Sequence, residues 1–362
     1  MKELIQKLEG QFHIKFTESE EPIDWENTYW TDSEGRIVTL RLFEVPLGKL
    51  DPLFPLASTL QELSVHDAEL SEVKSITRFK RLRKLDLSLN PISDLSGIGE
   101  LTELRELNLS ATRIDSRSKF DQLHSLSKLE MLDLDSTRIT SIAGLHHLKK
   151  LDSLIVGSTN ISRFDDIEEM PFLKELDLNC CHKIDFARLP DLERMPHLER
   201  LDASCTGMQL LTGLDNMISL KKLDLNSCEL ERIQGLDKLV NLEYLDIGDN
   251  LITRIEGLEQ LTKLKELKLR YYLGYSDSPI TQLEGVHHLT KLERIDISGN
   301  EIQRLEKLPN EHITWVNMQS NKVNYIDYDW LNSLKQPCQI NLAGSSIKPD
   351  LKRVPQNVTI TM

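Results

Sequence analysis

Leu82–Ile92 reads LRKLDLSLNPI, and the chain keeps returning to it with the leucines held in place and the residues between them varied. The clearest copies begin at Leu82, Leu104, Leu129, Leu151, Leu173, Leu198, Leu220, Leu242 and Leu292, with weaker ones from Ile37, Leu60, Leu264, Ile313 and Pro337, about fourteen coils together. The step between starts is mostly 22 residues, and 25 from Leu104 to Leu129 and from Leu173 to Leu198. In Leu-x-Leu the period is two, so both leucines face one side of a short strand and the residue between them faces the other. One coil cannot bury its leucines alone. Neighbours must stack, and stability becomes a sum over adjacent coils. The ninth position holds Asn90, Thr112, Thr137, Thr159, Cys181, Thr206, Cys228, Asn250, Asn300 and Asn321. Small polar groups there can satisfy backbone groups where the chain turns inward.

The pattern Leu-x-x-Leu-x-Leu-x-x-(Asn/Thr/Cys)-x-(Ile/Leu) resembles the leucine-rich repeat family, in the 22-residue class of the protein phosphatase regulatory subunit and the internalins. The resemblance covers roughly residues 37–347. It implies a β-dominated α/β solenoid: a right-handed leucine-rich repeat horseshoe with a concave parallel β-sheet and short helical or 3-10 segments on its convex side. The return segments, such as ITRIEGL and ITSIAGL, are too short for full helices. A solenoid exposes its core at both ends and needs caps. Residues 1–36 are expected to form one: a helix over 2–10, a segment with Trp25, Tyr29 and Trp30, and a turn at TDSEGR leading into IVTLRLF. This start is loosely similar to the leucine-rich regions of bacterial Roco-type proteins. Their nucleotide-binding part has no counterpart here, since no GxxxxGK[ST] occurs. Residues 348–362 form the other cap, with NVTITM as a last strand.

A net charge of −14 disfavours nucleic acid and anionic membrane as direct partners and favours a basic protein. The first residues mix charges into an amphipathic pattern, and no run of 18 apolar residues occurs, so a cytoplasmic, non-membrane protein is expected. The five cysteines are odd in number and are not the framework of a small secreted domain. Cys180 and Cys205 hold the same place in consecutive coils, within disulfide range. Buried or incidental thiols, a redox pair and a metal site with His182 are the three readings. His146-His147 and His287-His288 sit six coils apart and cannot share an ion. No HExxH, GxSxG or protease-like Cys/His/Asn arrangement appears, and no cofactor is expected. The reading is therefore non-catalytic.

Two outward surfaces stand out. Asp177, Asp202, Asp224 and Asp246 take the central outward position of successive coils, with Arg200 and Lys222 one place earlier in two of them. This column is either a solvated face common to the repeat class or an acidic strip for a basic partner. The second surface gathers Tyr244, Arg294 and Trp315 at first outward positions, with Asn317 and Gln319 beside Trp315. The six-residue insertion in KLRYYLGYSDSPI adds Arg270, Tyr271, Tyr272 and Tyr275 as a rim loop. Tyr, Trp and Arg carry binding energy at interfaces more often than other residues. The competing reading packs Trp315 against Tyr325, Tyr328 and Trp330 in the cap. The expected function is a protein-binding scaffold, a subunit or adaptor of a bacterial signalling or defence assembly. The alternative is an inhibitor that neutralises a basic toxin or nuclease through the acidic strip.

Overall fold

The computed structural model describes residues 2–23, 25–115, 120–162, 169–184, 192, 194–209, 211, 213–272, 280–306 and 308–362. The chain divides into two compact units, Met1–Asp177 and Leu178–Met362.

Unit 1 opens with the helix α1 (Lys2–Phe12), which turns Ile5 and Leu8 into the core. The strand Phe16–Glu18 follows and pairs in parallel with Asn27–Thr31. Asn27–Thr31 pairs antiparallel with Ile37–Phe43, so the TDSEGR turn is present. Its geometry comes from Asp32, whose Oδ1 accepts the amides of Glu34 and Arg36 at 3.0 and 2.9 Å. From Ile37–Phe43 onward every pairing is parallel, through Glu62–His66, Lys84–Asp86, Glu106–Asn108, Met131–Asp133, Ser153–Ile155 and Glu175–Asp177. The register aligns Leu40, Leu63, Leu85, Leu107, Leu132, Leu154 and Leu176, all buried. The return path carries 3-10 turns at Asp51–Leu56, Lys74–Arg78, Ile98–Glu100, Phe120–Leu123 and Leu145–His147. Phe120–Leu123 belongs to the first 25-residue coil, and Phe120 is buried there. Most of the extra residues of the second such coil lie outside the described residues.

Unit 2 repeats the scheme through Arg200–Asp202, Lys222–Asp224, Tyr244–Asp246, Glu266–Lys268, Arg294–Asp296, Trp315–Asn317, Cys338–Asn341 and Val358–Thr361, all parallel. The last of these is the strand expected from NVTITM. Two features on its return side are not foreshadowed by the repeat. Arg304–Leu305 pairs with Tyr325–Ile326 as a separate two-stranded sheet, and the helix α2 (Tyr328–Ser333) follows it. Asp327 caps α2 by accepting the amides of Asp329 and Trp330 at 3.0 and 3.1 Å.

The ninth position does what its chemistry allows. Asn90 Oδ1 accepts from the amides of Ala68 and Leu70 at 3.0 and 2.9 Å, and its Nδ2 donates to Val65 and Leu87 carbonyls at 2.7 and 3.0 Å. Thr112, Thr137, Thr159 and Thr206 each donate one hydroxyl to the carbonyl three residues back. Cys228 Sγ lies 3.1 Å from the Ala203 carbonyl. One residue before the ninth, the backbone turns left-handed in coil after coil: Leu89, Ala111, Ser136, Ser158, Cys180, Cys205, Ser227, Asp249 and Ser320 have φ between 51° and 58°. Cys180 and Cys205 are therefore turn residues, half-buried and not joined in a disulfide. Burial raises the Cys228 thiol and pushes Cys338 up to about 11, so neither is a thiolate at neutral pH.

Candidate functional site

The aspartate at the centre of each strand has a local task. Asp202, Asp224 and Asp246 sit in register on adjacent strands of unit 2. In each, Oδ1 accepts the backbone amide two residues on: Ser204 at 2.9 Å, Asn226 at 3.0 Å and Gly248 at 3.0 Å. Asp86, Asn108 and Asp133 do the same in unit 1, and Asp296, Asn317 and Asn341 in unit 2. The side chain thus holds the amide at the point where the strand ends and the turn begins. Asp177 is the last residue of unit 1, half-buried on its own strand.

The column is not uniform in charge. Burial above all, helped by the neighbouring Asp246 and Asp202 carboxylates, pushes Asp224 up to about 6, against the opposing hydrogen bond from the Asn226 amide and a weaker pull from Arg270. A carboxyl raised in the folded state contributes stability that is fully present below its ordinary value of 3.8 and is lost as pH rises through 6. Asp224→Asn keeps the acceptor for Asn226 and removes the charge. At pH 7.5 it is expected to stabilise the protein by roughly 1–2 kcal/mol, less than the full shift because the group is partly solvated. Urea melts of both proteins should converge by pH 4. A variant less stable than wild type at pH 7.5 would refute this account of the column.

Asp246 is 1% exposed and is the charge the rest of the site is built around. Arg270 Nη1 meets its Oδ2 at 2.8 Å, Lys268 Nζ stands 3.9 Å away, and the Tyr244 hydroxyl 3.4 Å away. Lys268 also donates to the Tyr244 hydroxyl at 2.9 Å. Gly248 makes room for Arg270: a Cβ there would lie 2.9 Å from Arg270 Cγ and 3.0 Å from its carbonyl oxygen. The cations reaching Asp246 come from the following coil, a source the one-place-earlier reading of Arg200 and Lys222 does not supply.

A second chain of bonds leads to the insertion. Asp249 Oδ1 accepts the Tyr272 amide at 2.7 Å, and the Tyr272 hydroxyl lies 2.7 Å from Ser298 Oγ. Ser298 donates to Asp296 at 2.6 Å, and Asn317 donates to the same oxygen at 3.1 Å. Tyr271 occupies the place where other coils turn left-handed. Its carbonyl crowds Gly299, where a Cβ would lie 1.8 Å away, so only glycine fits beneath it.

Arg294 lies over the Trp315 ring, 4.5 Å from its centroid, and reaches Glu266 at 4.0 Å. The cap aromatics take other partners. Tyr325 stacks under Arg304 at 3.8 Å, Tyr328 under Arg353 at 4.3 Å, and buried Trp330 donates Nε1 to the Leu308 carbonyl at 2.8 Å. Tyr244, Arg270, Tyr272, Arg294 and Trp315 thus belong to one outer sheet face of unit 2, and the Tyr271 backbone joins it by donating to the Ser298 carbonyl. Gln319 is exposed beside it, Asn317 is buried as a strut, and Tyr275 lies outside the described residues. Lys268, Asp249 and Ser298, which hold these groups in place, were not singled out from the sequence. The i, i+2 spacing of Asp-x-Ser and Asp-x-Gly was the signal available for their neighbours.

Among known proteins, the family model for leucine-rich repeats in two copies matches residues 218–260. No curated protein matches the chain in sequence. Several solved structures share the fold. An internalin, InlF, from Listeria monocytogenes is 20% identical, with a TM-score of 0.64 over 88% of this chain and 92% of its own. Toll-like receptor 13 in a complex with single-stranded RNA is 20% identical, with a TM-score of 0.67 over 90% of this chain and 50% of its own. A leucine-rich repeat protein of Leptospira interrogans is 18% identical, with a TM-score of 0.50 over 87% and 99%.

Proposed function

We propose that this leucine-rich repeat protein is a non-catalytic scaffold that holds a protein partner on the outer sheet face of unit 2. The observation that carries the reading is the Tyr272–Arg294–Trp315 face, whose side chains are already fixed by their neighbours. Tyr272 is 59% exposed, yet its amide and hydroxyl are both bonded. A surface ordered before binding loses little freedom on binding. Internalin-like relatives in fold support a binding role, and the finer assignment, a subunit or adaptor of a bacterial cytoplasmic assembly, is part of the proposal. A nucleic-acid partner fits poorly beside the column of carboxylates, whatever the RNA-bound receptor of similar fold does.

The acidic column supports a second reading, an inhibitor that takes a basic toxin or nuclease. Salt dependence separates the two: an interaction centred on Asp202 and Asp224 weakens steeply between 50 and 500 mM salt, and one centred on Trp315 does not. Trp315→Ala combined with Tyr272→Ala is expected to lower affinity for a partner purified with the native chain by about 100-fold or more, with the thermal midpoint nearly unchanged. Unaltered affinity would remove this face from consideration.

A further inference from the structure

The outer face of unit 1 carries an aromatic shelf that the repeat does not require. Trp25 is 76% exposed and sits at φ 63°, a backbone region that costs a bulky residue about 1–2 kcal/mol. Its ring meets Phe43 edge-on with centroids 4.9 Å apart, and Phe43 stacks on His66 at 5.0 Å and 17°. His66 Nδ1 lies 2.8 Å from Ser88 Oγ, and that hydroxyl is 2.6 Å from Asp86 Oδ1. A carboxylate only accepts, so Ser88 donates to Asp86 and His66 must donate from Nδ1.

Beside these rings runs a cleft of about 270 Å³, and a second of about 350 Å³ shares Arg41, Ser64 and Asp86 with it. Together they make one trough from Trp25 to Met131. Its cations are already matched: Arg41 by Glu62 at 3.4 Å and the Glu20 carbonyl at 3.1 Å, Lys84 by Glu106 at 3.0 Å. Asp86 is not matched. Among the described residues no lysine or arginine comes within ion-pair distance of it, and its Oδ2 accepts only the Ser64 hydroxyl, at 3.2 Å. Two strands on, Asp133 is pushed up by burial first and also by the Asp135 and Asp86 carboxylates.

We propose that the trough docks an extended peptide segment bearing a lysine or arginine, its stem against Trp25 and Phe43 and its cationic head on Asp86. Aromatic faces attract such cations, and the outward carboxylate supplies the charge they lack in this wall. An acidic peptide would meet Asp86, Glu62 and Glu106. The site is separate from the Trp315 face and does not depend on it.

Random nine-residue peptides displayed and selected on the full chain, then measured by fluorescence anisotropy, test the proposal. Enrichment of Lys or Arg beside aliphatic residues is expected, with affinity reduced at least about 10-fold by Trp25→Ala and by Asp86→Asn. Trp315→Ala with Tyr272→Ala should leave it unchanged. Asn at 86 keeps the acceptor for the Ser88 amide, so that variant decides the matter even if Trp25→Ala loosens the cap. Selected peptides without basic residues, or binding indifferent to Asp86→Asn, would overturn it. Binding that follows Trp315 would overturn it as well, by assigning the peptides to unit 2.

Discussion

Arg270→Met is expected to destabilise unit 2 by about 3 kcal/mol. Asp246 is 1% exposed and meets Arg270 at 2.8 Å; the remaining Lys268 ammonium is 3.9 Å away. Removing the guanidinium leaves a buried carboxylate with one distant cation, and that desolvation cost exceeds the worth of the pair itself. Asp246→Asn in the same chain should restore most of the loss, because the amide oxygen still accepts from Gly248 and no charge is left to solvate. Urea denaturation of the four proteins of the cycle gives the coupling directly. An Arg270→Met midpoint equal to wild type would show that the pair is ornamental, and the Tyr244–Lys268–Arg270 arrangement would lose its claim to be held in advance of binding.

Asn250→Ala should cost about as much or more, for a different reason. The side chain accepts the amides of Cys228 and Leu230 at 3.0 and 2.9 Å and donates to the Leu225 and Ile247 carbonyls, both at 2.9 Å. Alanine strands two buried donors, each worth about 1–3 kcal/mol when unpaired, so a loss near 4 kcal/mol is expected. Thr206→Val removes the hydroxyl bond to the Ala203 carbonyl at 2.6 Å and a weak contact to Cys228 Sγ at 3.6 Å, and should cost only about 1 kcal/mol. Similar losses at the two positions would mean that the asparagine ladder is dispensable and that leucine burial alone sets the stability of a coil.

The leucine register was legible because a period of two admits no slip: moving a strand by one residue would turn every leucine outward. The ninth position was legible for a related reason, since a buried turn demands a small polar group. The aspartates were read as charge when their first duty is to the backbone. The Asp-x-Ser spacing that gives this away looks the same as a solvated acidic face until the strand ends are known. Trp315 lies beside buried Val316 on its strand, and its cover, Arg294, follows from the packing of one coil on the next. Trp25 was hidden among cap aromatics. Its neighbours Tyr29 and Trp30 lie on the paired strand Asn27–Thr31, and composition does not say which ring a left-handed residue turns outward. The helix α2 and the Arg304–Tyr325 pairing stand outside the repeat, so the spacing carries no information about them.

Where a strand ends in a carboxamide or carboxylate, that group divides its two terminal atoms between different duties. Oδ1 belongs to the turn, and the second atom is left for other partners, as Asp246 Oδ2 is for Arg270 and Asp86 Oδ2 for Ser64. Exchanging that second atom between oxygen and NH2 rewrites the charge presented by a coil without disturbing the bond that shapes it. The chain already does this, with Asn108 between Asp86 and Asp133 and with Asn317 and Asn341 following Asp296. Lineages of such a protein can therefore drift in what they recognise, one coil at a time, while the turn that ends each strand keeps its shape.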